Sequence, residues 1–223
     1  MLKPGRWGEE ITTHRRGVGM NVRRWMVVGV VLALHLFVGG LSSAMAGPAT
    51  ESIRGTVDEV LKILGDKELK APARHEDRRQ RLEKAVAARF DYSEMSRRSL
   101  GAQWNQLSDK EKQEFVDLFR TLLTNTYADR VETYSGEGVQ YLNERTEKEY
   151  AEVRTKVLSG KTEIPMDYRL LNKSNDWHVY DVVVDGVSLV NNYRGQFTKI
   201  LHTSSYSDLV DQLRKKSDKI KAP

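Results

Sequence analysis

Asp167, Tyr168 and His178 lie on two neighbouring stretches of alternating polarity. A carboxylate, a phenol and an imidazole are side chains from which acid–base catalysis is built. Strand alternation argues against this set, because successive side chains point to opposite faces. Asp167 and Tyr168 cannot share a pocket without a bulge, so they read as residues of a sheet surface. His75, His178 and His202 are far apart, and none has a metal-ligating neighbour at i+4, so no metal centre is expected. The chain has no cysteine. That excludes disulfides, thiolate-bound zinc, iron–sulfur clusters, a cysteine nucleophile and a lipidated N-terminal cysteine. There is no phosphate-binding glycine loop and no nucleophile elbow. No catalytic residue and no cofactor is therefore expected. What remains to explain function is the distribution of apolar residues.

Those residues begin with a leader. Arg23 and Arg24 precede the apolar run from Met26 to Val38, and Ala44-Met45-Ala46 follows. This is the order of a secretory signal peptide, with cleavage expected after Ala46 and the start at Met20. The competing reading is an uncleaved membrane anchor, which two Gly and two Ser in the second half of the run disfavour. The whole chain of 223 residues carries a formal charge of +5. Residues 1–46 hold six basic and two acidic residues, so the mature chain keeps 30 basic and 29 acidic residues, a net charge of +1. The basic excess belongs to the leader, and nucleic-acid binding is not expected. Export without cysteines fits the periplasm of a Gram-negative cell.

The mature chain, 47–223, reads as one domain. Its helical part spans about 50–134. Ile53, Val57, Val60, Leu61 and Leu64 form one apolar helical stripe ending at Gly65-Asp66. Pro72 opens a second helix, with Leu82, Val86 and Phe90 on one side. Ser108 and Glu111 form a capping box for a long helix carrying Phe115, Phe119, Leu122 and Tyr127. A sheet and two C-terminal helices follow over about 138–218. Ala151, Val153, Thr155 and Val157 alternate with charged residues, as do Ile164, Met166, Tyr168 and Leu170. Trp177, Val179 and Val183 continue the pattern, and Val139 to Asn143 supplies a first strand. Turns fall at 159–161, 173–176 and 185–186. Ser188 caps a helix with Val190, Tyr193 and Phe197 inward, and Asp208 starts the last one. The fold class is α+β: a twisted antiparallel four-stranded meander with one covered face, wrapped by helices.

The stretch Gly186-Val187-Ser188-Leu189-Val190-Asn191-Asn192-Tyr193-Arg194-Gly195-Gln196-Phe197, with Tyr180 to Asp185 before it, resembles the signature of the MlaC or toluene-tolerance auxiliary family. Phe90-Asp91-Tyr92, Met95, Leu100-Gly101 and Trp104 are similar to that family's N-terminal motif. The resemblance covers about residues 50–218. It implies a nuclear-transport-factor-like cone that holds the acyl chains of a phospholipid, or of a hopanoid-like lipid, with the head group near solvent. It implies two partners as well, an inner-membrane ABC transporter complex and an outer-membrane lipoprotein complex. A carrier protein and not an enzyme is expected. The alternative is an enzyme of apolar substrates on the same cone, which would need a polar dyad inside it.

Lipid contacts are expected on the covered strand face at Val153, Val157, Met166, Tyr168, Val179 and Val183, and on the helices over it at Phe119, Leu122, Tyr193 and Phe197. Arg194 is the head-group candidate, because a guanidinium pairs well with phosphate oxygens.

Overall fold

The computed structural model describes residues 46–134 and 138–221. The leader read over 1–46 lies outside the described residues, apart from Ala46. Among the described residues no helix is long and apolar enough to cross a membrane.

Helix α1 (Pro48–Gly65) starts with proline in its first turn, where a fixed φ costs nothing. Its N-terminus is capped from a distance: a Glu144 carboxylate oxygen accepts the Thr50 N–H at 2.8 Å. A negative group there also suits the helix dipole. The approach is so close that a side chain at Gly47 would displace the Glu144 carboxylate. A short 3-10 turn (Pro72–Arg74) leads into α2 (His75–Ala87). Helix α3 (Tyr92–Leu100) is capped by Asp91, whose side chain accepts the Glu94 N–H at 3.0 Å. The long α4 (Asp109–Glu132) carries the expected capping box, with Ser108 and Glu111 bonded in both directions.

The sheet runs β1 (Val139–Glu147), β2 (Tyr150–Ser159), β3 (Thr162–Lys173), β4 (Asp176–Val184) and β5 (Val187–Ser188), in that order and antiparallel throughout. Ser174 and Asn175 at the β3–β4 turn both have positive φ, as do Asp185 and Gly186 before β5. Such pairs match the primed turns that suit strand twist. Helix α5 (Leu189–Thr203) is capped by Ser188, which accepts the Asn191 N–H at 3.0 Å. Helix α6 (Tyr206–Lys221) begins with Ser205 and Asp208 bonded reciprocally.

The α+β class holds, but three expectations need correction. The sheet has five strands and not four, because β5 is only two residues long and too short to show a period. Strand β1 runs to Glu147 and not Asn143, since its second half is polar and mostly exposed and so shows no alternation. Phe90 is not the end of the α2 stripe. It forms a parallel bridge with Val179 at the free edge of β4: the Asp91 N–H donates to the Val179 carbonyl, and the Val179 N–H to the Arg89 carbonyl.

Buried apolar residues gather in three places. One lies between α1 and the sheet, and holds Ala49, Ile53, Val153, Tyr168, Leu170 and Val179. A second is a helical cluster of α3 to α6 around Phe115, Phe119 and Phe197. The third joins the end of α1 to α2 through Ile63, Leu64, Leu69 and Leu82. Phe90 packs against both the first and the second, so it sits at their seam.

Candidate functional site

The α1–sheet layer is built by register. Val153 stands opposite Tyr168 and Glu144, and Leu170 opposite Ala151 and Val179. Directly paired residues share a face, so these side chains meet α1 together. Ala49 and Ile53 close over them, both fully buried. Of the expected contact residues, Val153, Met166, Tyr168 and Val179 are in this layer. Val157 shares the face by register, opposite Val139 and Ile164, and is half-buried near the strand end.

Val183 is a correction. Arg169 pairs with Asp181 while Leu170 pairs with Val179, which leaves Tyr180 as an extra, bulged residue. A bulge of one residue reverses the alternation. Val182 and Val184 therefore join the covered face, opposite Tyr168 and Met166. Val183 turns to the other face, opposite Asp167 and Ser188.

The helix residues need a second correction. Phe119, Leu122, Tyr193 and Phe197 do not face the sheet but pack on one another in the helical cluster. The Phe119 ring meets Tyr193 edge-on at 5.1 Å and Phe197 at 5.6 Å, and Phe115 meets Phe197 at 5.6 Å. These are favourable aromatic geometries in a filled core. The element that covers the sheet face is α1, whose stripe is visible in the sequence but whose partner is not.

Polar groups in the layer lie towards β1. Tyr168 is 8% exposed, and its hydroxyl donates to the Met166 thioether sulfur at 3.2 Å. The Tyr141 hydroxyl is buried without a hydrogen-bond partner among the described residues. Burial pushes the Tyr141 phenol up to about 12 and drives that of Tyr168 upward as well. Arg54 of α1 lies over the Tyr141 ring, 4.5 Å from its centre. Tyr141 was absent from the expected set, although Val139 and Tyr141 already alternate in the sequence.

The opposite face is charged. A pocket of about 510 Å³ there is lined by Arg97, Arg98, Arg169 and Arg194, with Tyr180 and Asp181. Asp181 is 3% exposed and accepts from the Val190 N–H at 3.0 Å, the Ser188 hydroxyl at 2.6 Å and Arg169 at 3.1 Å. It thus fixes the start of α5 on β4. Glu94 accepts from Arg97 at 2.6 Å and Arg98 at 2.7 Å. These hydrogen bonds, first that of Arg97, hold its carboxyl at about 2. Arg98 stacks on Tyr180 at 4.0 Å.

Among the described residues Arg194 has no ion-pair or hydrogen-bond partner. It lies alongside Gly101, whose φ of +59° suits glycine. It is not at the mouth of the α1–sheet layer, as expected, but across the sheet from it. One step along a helix turns a side chain by about 100°, so an inward Tyr193 sends Arg194 elsewhere.

The acid–base set does not assemble. Tyr168 is in the covered layer, whereas Asp167 and His178 are on the other face. Asp167 stands four residues along β3 from Leu171, the partner of His178, about 13 Å at strand rise. His178 instead meets its neighbour Asp176 at 3.2 Å.

Sheet, covering helix and apolar layer define a single-sheet α+β protein whose buried face, not a reactive constellation, is its main feature. The chain belongs to the MlaC family, since the family described as MlaC protein matches residues 54–215. A Haemophilus influenzae protein named intermembrane phospholipid transport system binding protein MlaC is 24% identical over 121 residues. That match covers 52% of this chain and 56% of the relative, so the chain spans just over half of that relative's length. The solved structure of a phospholipid-binding protein from Ralstonia solanacearum, in complex with a phospholipid, superposes with a TM-score of 0.72 at 26% identity. It covers 79% of this chain and 100% of the other.

Proposed function

We propose that the protein is a periplasmic phospholipid carrier, passing lipid between an inner-membrane ABC transporter complex and an outer-membrane lipoprotein complex. The observation that carries the reading is the likeness to the Ralstonia protein, which is matched over its whole length and was solved with a phospholipid. The physics of the task agrees. Two acyl chains hold about 30 CH₂ groups at about 0.8 kcal/mol each, so roughly 24 kcal/mol opposes release of the lipid into water. A covered apolar face removes most of that cost. A bilayer is equally apolar, so extraction gains little and direction must come from the partners.

The acyl chains are assigned to the strand side of the α1–sheet layer: Val153, Val157, Met166, Tyr168 and Val179, with Val182 and Val184 in place of Val183. Phe119, Leu122, Tyr193 and Phe197 act as the rigid helical support beside it. The test is mass spectrometry of an organic extract of the purified protein. Phospholipid near one molecule per chain is expected, and a lipid-free extract overturns the reading. Met166→Trp should fold and carry several-fold less lipid, because an indole fills space that a chain needs. Export is checked separately, by sequencing the N-terminus of the secreted protein, where Gly47 is expected.

A further inference from the structure

The α1–sheet layer contains two phenols that its own packing does not satisfy. Tyr141 of β1 stands opposite Thr155, and Tyr168 of β3 opposite Val153, so they flank β2 on one face. They are close enough for Tyr141 to act electrostatically on Tyr168. Tyr168 has, among the described residues, only the Met166 sulfur at 3.2 Å as partner, and a thioether is a weak acceptor. The Tyr141 hydroxyl has no hydrogen-bond partner among the described residues. Both phenols are held above the usual tyrosine range by burial, so both carry a proton at neutral pH.

A buried hydroxyl without an acceptor destabilises a protein. Phenylalanine would give the same shape without that penalty. The two donors become favourable only when an oxygen acceptor enters the layer. Ester carbonyls and phosphodiester oxygens are such acceptors, and a polycyclic hydrocarbon has none.

We infer that Tyr141 and Tyr168 donate hydrogen bonds to the ester or phosphodiester oxygens of the bound lipid, and so select ester-bearing lipids over hydrocarbons. The inference rests on the carrier reading and adds to it the two residues that hold the oxygens of the cargo. It also gives the layer a polarity: acyl chains run along the valines, and the oxygen-bearing end lies towards β1. Arg54, stacked on Tyr141 with its side chain 42% exposed, stands at that end, where a phosphate would emerge.

The experiment compares the parent with Tyr141→Phe, Tyr168→Phe and the double variant. Each delipidated protein is offered dioleoylphosphatidylethanolamine vesicles or the hydrocarbon squalene. Retained ligand and thermal unfolding are both measured. Each variant should unfold no earlier than the parent, and the double variant later. Phospholipid retention should fall about tenfold per hydroxyl, the equivalent of one hydrogen bond to a charged or polar oxygen. Squalene retention should not change. A double variant that retains phospholipid as well as the parent overturns the inference. So does one that unfolds earlier, since the hydroxyls would then have a structural partner such as a buried water. A parent that takes up neither probe overturns the carrier reading itself, which the parent's own data distinguish.

Discussion

The helical cluster and the α1–sheet layer are both buried and apolar, yet they are finished to different degrees. In the helical cluster Phe115, Phe119, Tyr193 and Phe197 meet at 5.1 to 5.9 Å in stacked and edge-on contacts. Its rings complete one another, although the Ser96 and Ser99 hydroxyls of α3 are also buried without a partner among the described residues. The α1–sheet layer is closed by one helix through small and medium side chains, Ala49 and Ile53. It also contains two phenols whose donors lack oxygen partners among the described residues. One region is a core. The other leaves two phenol donors short of oxygen acceptors, which is what the proposed carrier role asks of a surface that takes up lipid.

This contrast can be broken by mutation. Phe119→Ala removes a fully buried ring from the finished region and should destabilise the protein by about 3–5 kcal/mol in denaturant unfolding. The fraction that stays folded should carry lipid as the parent does. Loss of lipid in that folded fraction would mean that the helical cluster contacts cargo directly. Ile53→Ala cuts the cover of the unfinished region. About 2–3 kcal/mol is expected, below the Phe119 effect because α1 can settle onto the sheet. Lipid exchange between vesicles should become several-fold faster, as measured with a fluorescent phospholipid.

The charged face has a pH signature. Glu94 is lowered from 4.5 to about 2 by hydrogen bonds from Arg97 and Arg98. A carboxyl whose pKa is depressed in the folded state stabilises the fold fully above its unfolded value. That contribution is lost as pH falls through the folded value. Parent and Glu94→Gln should therefore differ by a constant amount above about pH 5. The gap should close between pH 4.5 and 2. Arg97 is half exposed, so solvent screening limits the difference to about 1–2 kcal/mol. Urea midpoints across that range decide it, and a gap that persists at pH 2 would mean that the arginine hydrogen bonds do not hold the Glu94 carboxyl down.

Much of this was legible in the sequence, and what was not has physical causes. The caps at Ser108 and Ser188, the turns at 173–176 and 185–186, and the alternation in β2 and β3 are local features that follow from side-chain chemistry. The alternation gives the faces of β2 and β3, and of β4 as far as Val179, but not beyond Tyr180, because a bulge is a backbone event with no periodic trace. That single residue moved Val183 off the layer and placed Val182 and Val184 on it. Helix stripes show which side is buried but not against what. The Ile53 stripe met the sheet, whereas the Phe119 and Phe197 stripes met each other. Tyr141 was missed for another reason, since an orphaned hydroxyl exists only once every neighbour is in place.

The smallest effect is expected at Arg194. A guanidinium follows the inward Tyr193 and would suit a phosphate, which makes it attractive in the sequence. The structure puts it in the arginine-lined pocket on the far face of the sheet, exposed and without an ion-pair partner among the described residues. Removing an exposed side chain with no partner changes stability by no more than about 0.5 kcal/mol. It also relieves repulsion among Arg97, Arg98 and Arg169, so a slight gain at low salt is the expected sign. Arg194→Ala should leave the phospholipid content of the purified protein unchanged, because the sheet stands between this pocket and Tyr141, Val153 and Tyr168. The measurement is lipid per protein, beside an unfolding curve at two salt concentrations. A several-fold loss of lipid with an unchanged unfolding curve would return Arg194 to the head group. It would also mean that cargo reaches round the β4 edge past Phe90, joining the two regions in one site.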